Sequence, residues 1–191
     1  MKVEMQHTEK TIRRLARVQY DTYCLTQKLV TALFAIILLV LGAWNCFDGT
    51  TSLVLVALGC FTITGINTPA DRNAKKMIEY AKGDFPASEY QFRDNAVQIS
   101  GDGQQTLLNY TDIYSLICDG PYLYLFISKL SAYMIPLESL GTQKAAELKA
   151  MLSEKTGLRV EKPGNLLAIN LGSLRRCFTD PKKNQKGGKT A

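Results

Sequence analysis

The chain has 191 residues and a formal charge of +6, from 23 Lys and Arg against 17 Asp and Glu, which is room for one ordinary domain and a small addition. A mean hydropathy of −0.05 hides a segregated composition, because an apolar stretch from Leu29 to Ile66 lies between charged segments; the positive charge flanks it without an interleaved aromatic stripe, which argues against nucleic acid as a partner. The five cysteines, Cys24, Cys46, Cys60, Cys118 and Cys177, are odd in number and scattered, excluding a disulfide framework, a metal knuckle or a redox pair.

In chain order, Met1 to Met5 alternate as an edge strand does. Thr8 is placed to cap a helix in which Ile12, Leu15, Ala16, Val18 and Tyr23 are interspersed with Arg13, Arg14, Arg17 and Lys28. The basic residues read first as a solvated helix face and a topology signal. The rival reading is contact with anionic lipid, at about 1 kcal/mol per basic residue near the surface.

Leu29 to Phe47 contains no charged residue, and at about 1.5 Å per residue it approaches the ~30 Å hydrocarbon thickness. Trp44 suits the headgroup level, and Asn45, Asp48, Gly49 and Thr50 form a polar break. Ser52 to Ile66 is milder, diluted by Gly59, Thr62, Thr64 and Gly65, yet small residues suit a helix packed closely on a returning neighbour. Pro69 reads as a stop. A signal peptide is disfavoured by the charged segment ahead and the lack of a cleavage site. A buried hairpin of a soluble protein is disfavoured too, since the rest of the chain is too small to cover two helices apolar all round. Basic residues flank the hairpin and none lies in its turn, so both termini are expected in the cytoplasm and the turn outside.

A polar helical linker, Asp71 to Lys82, leads to a change of character at Gly83 to Pro86. Short strands follow at Tyr90–Phe92, Val97–Ser100, Thr106–Tyr110, Ile113–Cys118, Tyr122–Ser128 and Ala132–Leu137, separated by turn residues, as a β-meander. Tyr122 to Ser128 alternates strictly, with Leu123, Leu125 and Ile127 on one face and Tyr122, Tyr124 and Phe126 on the other. Both faces want cover. The aromatic set meets the tail, the preceding helix, the membrane or a partner, and Tyr122, Tyr124 and Phe126 are therefore the candidate partner face.

A helix is expected from Thr142, its candidate cap, to Thr156, with Ala145, Leu148 and Leu152 on one side and Gly157 at its end. After the Pro163-Gly164 break, Asn165 is a candidate cap for a segment with Leu167, Leu171, Leu174 and Phe178 at helical spacing. Arg175, Arg176, Lys182 and Lys183 are candidate lipid contacts there; the segment lies on the inner leaflet or docks on the soluble module.

Strands closed by one helix make an α+β roll or partly open barrel. The chain then divides into an N-terminal segment (1–28), a transmembrane helical hairpin (29–67), a linker helix (68–84), a soluble domain (85–157) and a basic tail (158–191). This layout, with "YQFRDNAVQIS", "LLNYTDIYSLICDGPYLYLFIS" and "AYMIPLESL" before a helix, resembles YcxB-like membrane proteins of bacteria over residues 1–156. Tyr110 to Leu140 is its most specific block. The resemblance implies a soluble module similar to pleckstrin-homology-like domains, a barrel capped by a helix, and implies no chemistry.

Catalytic residues are not apparent. His7 is the single histidine and has no ligand cluster beside it in sequence. Gly101-Asp102-Gly103 lacks the lysine and following helix of a phosphate loop and reads as a hairpin turn. Asp112 and Asp119 are too isolated to pair as acid and base. No cofactor or metal is expected. The reading is a membrane-anchored cytosolic binding module without catalysis, recognising a protein partner or lipid headgroups. The alternative is an accessory or sensory subunit, for example of a transporter, docking through the hairpin with Ser52 to Ile66 as its surface.

Overall fold

The computed structural model describes residues 1–44, 48–101 and 103–164. The turn residue Asn45, the cysteines Cys46 and Cys177, Asp102, and the whole tail reading from Asn165 to Lys183 lie outside the described residues.

Strand β1 (Lys2–Gln6) opens the chain and helix α1 (Glu9–Tyr23) follows it. Thr8 caps α1 as expected: its Oγ1 accepts from the Thr11 amide at 3.3 Å, and its own amide donates to Thr11 Oγ1 at 2.8 Å, a reciprocal box that occupies two otherwise unpaired donors. Ile12, Leu15, Ala16 and Val18 are buried on α1, and Lys10, Arg13 and Arg17 face water.

The chain passes from α1 into α2 (Leu25–Ala43) with little interruption, since the Cys24 amide donates to the Tyr20 carbonyl and the Lys28 amide to that of Cys24. Helix α3 (Gly49–Thr64) returns beside it. The sequence placed a stop at Pro69; the structure runs on through a single 3₁₀ turn (Gly65–Asn67) into α4 (Thr68–Tyr80). Pro69 falls in the first turn of α4, where amides lack helical partners in any case and a missing N–H costs nothing. Leu25–Ala43 and the continuous Gly49–Tyr80 are both long and apolar enough to cross a membrane.

The two helices meet through glycine. A Cβ on Gly42 would stand 2.9 Å from the Ser52 carbonyl oxygen, and one on Gly59 would stand 2.8 Å from Leu39. Ser52 and Gly59 are buried, so these two small residues serve the hairpin's own contact, while Leu53 and Phe61 face outward.

The remaining strands are β2 (Ala87–Phe92), β3 (Ala96–Gly101), β4 (Gln104–Asn109), β5 (Ser115–Asp119), β6 (Tyr122–Phe126), β7 (Ala132–Pro136) and the short β8 (Val160–Glu161), with α5 (Gly141–Thr156) before the last. They form two four-stranded sheets, ordered β1-β2-β3-β4 and β7-β6-β5-β8. β8, which the sequence reading did not contain, pairs parallel to β5. Helix α5 begins at Gly141 without a side-chain cap, so Thr142 does not have the expected role. Gly157 ends it in the left-handed region at φ 68°, where a Cβ would be strained.

The core corrects the boundary drawn at residue 85. β1 is the antiparallel neighbour of β2, with Val3 opposite Tyr90. Val3, Met5, Leu15 and Val18 pack in one cluster with Tyr90, Leu116, Tyr124, Phe126 and Leu148. The first 23 residues therefore belong to the β-rich module, and the apolar hairpin is inserted into it. Helices α1 and α4 lie against each other at the two ends of that insertion, with Ala70 and Ala74 buried.

Candidate functional site

The aromatic face of β6 is where the helices meet the sheet. Leu123, Tyr124, Leu125 and Phe126 have no exposed surface, so both faces of the strand are covered, as its alternation demanded. Of the four covers open to the sequence reading, the aromatic side has α1. The Tyr23 ring stands edge-on to Phe126 at 5.1 Å between centroids, and its hydroxyl shares a hydrogen bond with Ser115 Oγ. This corrects the candidate partner face: Tyr124 and Phe126 are closed to a partner by the chain itself, and only Tyr122 remains half-buried at the margin.

Tyr122 is also engaged. The Arg14 guanidinium lies 5.2 Å from its ring centroid, while Arg14 Nε donates to Asp119 Oδ2 at 2.8 Å and Nη2 to the Asp119 carbonyl at 3.3 Å. Partial burial works against the Arg14 charge, but the hydrogen bond to Asp119 and its negative charge prevail and hold the guanidinium above its ordinary pKa. Burial raises the Tyr124 phenol. Five residues further along α1, Gln19 Nε2 donates to the Lys129 carbonyl at 2.9 Å, tying the β6–β7 turn to α1.

The exposed side of α1 lines an open cleft of about 510 Å³ together with the β5–β6 turn, the start of α4 and Pro163. Lys10, Arg13, Arg14 and Arg17 contribute four positive charges, and Asp21, Asp71 and Asp119 three negative ones. Two of the acids are committed, Asp119 to Arg14 and Asp21 to the buried Lys28. Arg13 has only a loose contact with Glu9 at 3.9 Å. Among the described residues the cleft therefore presents Lys10, Arg13 and Arg17 as its cations without a close ion pair, along one face of a helix at the spacing that aligns side chains.

The other candidates resolve simply. Asp112 accepts from Asn109 Nδ2 at 3.0 Å within the turn that follows β4, well apart in role from the Arg14-bound Asp119. Gly101 is opposite Gln104 at the end of a β3–β4 hairpin, as the turn reading expected. His7 is half-buried, and desolvation lowers its pKa. No group of three metal-type side chains gathers among the described residues.

The sequence reading missed that α1 and β1 build this site. The signal was present in the apolar side of α1 (Ile12, Leu15, Ala16, Val18, Tyr23), a face that needed a partner inside the protein.

The class these observations define is an α+β protein whose β-rich module is completed by N-terminal elements and interrupted by two helices of membrane-crossing length. Residues 92–152 match the family model described as YcxB-like protein. The resemblance drawn from the sequence is thereby borne out over that stretch, just under a third of the chain, which carries β3 to β7 and most of α5. No curated protein and no solved structure matches the chain.

Proposed function

We propose that this is a membrane-anchored binding module without catalysis, its hairpin crossing the bilayer and its β-rich module and both termini in the cytoplasm. Only 22% and 11% of the two apolar helix windows is buried within the chain, which favours lipid over a soluble core as their surroundings. The charge asymmetry between flanks and turn supports the orientation. A four-stranded antiparallel sheet, a three-stranded meander and a closing helix support the pleckstrin-homology-like reading of the module.

The observation that carries the binding reading is the cleft with Lys10, Arg13 and Arg17 open. Its occupant is an acidic segment of a protein partner. Along the chain Arg17 and Lys10 lie about 12 and 22 Å of helix rise before Leu25, farther than the roughly 5–7 Å depth of a headgroup layer, which favours a protein over lipid at these two residues. Arg175, Arg176, Lys182 and Lys183 are the better candidates for lipid, because Gly164 lies against Asp21 and Leu25 and so starts the tail beside the first spanning helix. The accessory-subunit reading has weaker support, since Ser52 and Gly59 of α3 are taken up by α2.

Full-length protein in nanodiscs of neutral phosphatidylcholine is titrated calorimetrically with a glutamate-rich peptide and, separately, with soluble glycerophosphoglycerol. Salt-sensitive peptide binding is expected, weakened about tenfold by the exposed pair Arg13→Glu and Arg17→Glu, a loss of about 1.4 kcal/mol. Binding of the headgroup analogue alone, or peptide binding indifferent to the charge reversal, would refute this assignment.

A further inference from the structure

Arg14 lines the basic cleft together with Lys10, Arg13 and Arg17, but it differs from them in being held. Its contacts with Asp119 run through one edge of the guanidinium, Nε to the carboxylate and Nη2 to the main-chain carbonyl, and the Tyr122 ring lies 5.2 Å away. The β5–β6 turn closes the remaining side. A Cβ on Gly120 would stand 2.8 Å from Arg14 Nη2, and Gly120 has φ 54°, so the turn favours glycine both for its backbone and for the space that the guanidinium takes up.

A guanidinium carries its N–H donors in a rigid plane. Asp119 occupies the edge made by Nε and one N–H of Nη2. The second N–H of Nη2 and its neighbour on Nη1 point together along the next edge, a fork that matches the two oxygens of a carboxylate. The Tyr124 hydroxyl approaches Arg14 closely enough to feel its charge but has no hydrogen-bond partner, and so does not occupy this fork. With 37% of the Arg14 side chain exposed, in a residue that lines the cleft, the fork is what Arg14 has to offer a ligand. An ion pair this exposed contributes little to stability. Its larger effect is on order: Lys10, Arg13 and Arg17 have no close ion pair among the described residues and lose side-chain freedom when they grip a ligand, whereas Arg14 is already placed.

We propose that Asp119 is a positioning residue of the basic cleft, holding one edge of Arg14 so that the free fork is preset for a carboxylate of the acidic partner. This assignment rests on the reading of the cleft as a site for an acidic segment, and it reverses the sign expected of Asp119. Counted only as a charge, the Asp119 carboxylate repels an acidic ligand, and its removal improves binding. As the group that aims Arg14, its removal weakens binding although the cleft becomes more positive.

The full-length chain in neutral phosphatidylcholine nanodiscs is titrated with the glutamate-rich peptide at about 0.15 M salt, where screening over about 8 Å limits Asp119 to its near neighbours. Asp119→Asn is expected to weaken binding about fivefold, the scale set by ordering one long side chain on binding. In an Arg14→Lys background, which has no fork to aim, the same substitution should leave the affinity unchanged or raise it. Magnetic resonance of the wild-type chain with isotopically labelled arginine supplies a second reading that needs no variant to bind. The Arg14 Nε–H signal, identified by its loss in Arg14→Lys, should shift as the peptide saturates the protein; an ion pair that only braced α1 against the β5–β6 turn would leave it in place. Unchanged or tighter binding by Asp119→Asn, equal weakening in both backgrounds, or an Arg14 signal indifferent to bound peptide overturns the positioning role. Salt-sensitive binding that is still lost with Arg13→Glu and Arg17→Glu would then leave the cleft standing. If the wild-type chain binds no peptide, both readings fall.

Discussion

Removing residues 1–24 from the β-rich module is the perturbation that bears most directly on how this chain is built. Val3, Met5, Leu15 and Val18 are between 3% and 9% exposed and sit in the main core cluster. At about 1.5–3 kcal/mol for each fully buried apolar side chain, their loss costs about 6–12 kcal/mol, before counting Phe126 and the β2 edge that they leave open. That equals most of the roughly 5–15 kcal/mol that holds a typical domain together. A fragment of residues 83–164 should therefore show no cooperative thermal transition and no near-ultraviolet circular dichroism from its tyrosines. A chain in which a short Gly-Ser linker joins residue 24 directly to residue 68 keeps β1, α1 and α4, loses the apolar hairpin, and should be soluble with one cooperative transition. Both proteins are made without detergent and compared by circular dichroism and calorimetry. Cooperative unfolding of the 83–164 fragment would refute the reasoning, because it would mean that α1 and β1 are attached to a finished domain.

Two further outcomes follow from the packing. Gly42→Ala sets a Cβ 2.9 Å from the Ser52 carbonyl oxygen and 3.1 Å from the Val56 amide nitrogen, backbone atoms that cannot step aside, whereas Gly59→Ala chiefly meets the movable Leu39 side chain. Overpacking of about 1–3 kcal/mol should fall on Gly42→Ala, with Gly59→Ala milder, in thermal unfolding of the purified chain in detergent; the reverse order would contradict the helix contact described. The Tyr90 phenol is pushed up to about 12 by burial, despite hydrogen bonds with the Met134 backbone and Ser88 that lower it. An unfolded tyrosine ionises near 10, so the folded chain retains the proton longer; the contribution is complete below pH 10 and is lost as pH rises through about 12, to a total of about 3 kcal/mol. Urea midpoints should fall across that window, and Tyr90→Phe should flatten the fall; an unchanged slope would count against Tyr90 as its source.

The sequence by itself determined whatever depends on local pattern. Uncharged length in Leu29 to Phe47 specified a helix of membrane-crossing size, Thr8 and Gly157 marked helix ends, and the alternation that begins at Tyr122 specified a strand covered on both faces as far as Phe126, beyond which Ile127 is exposed. The YcxB-like block was legible in the order of its strands and turns. Tertiary structure alone decided what covers what. The same aromatic stripe on β6 would read identically with a partner, a bilayer or a helix upon it, and Tyr23, about a hundred residues earlier in the chain, is what fills the place. Pro69 illustrates the same limit in miniature, since a proline ends one helix or begins the next according to where the neighbouring backbone bonds fall. Alternation and periodicity state that an apolar face must be buried; they carry no information about which distant segment buries it. That is why an apparent N-terminal appendage proved to be part of the core, and why Arg14 and Asp119, unremarkable in sequence, meet at the margin of the cleft.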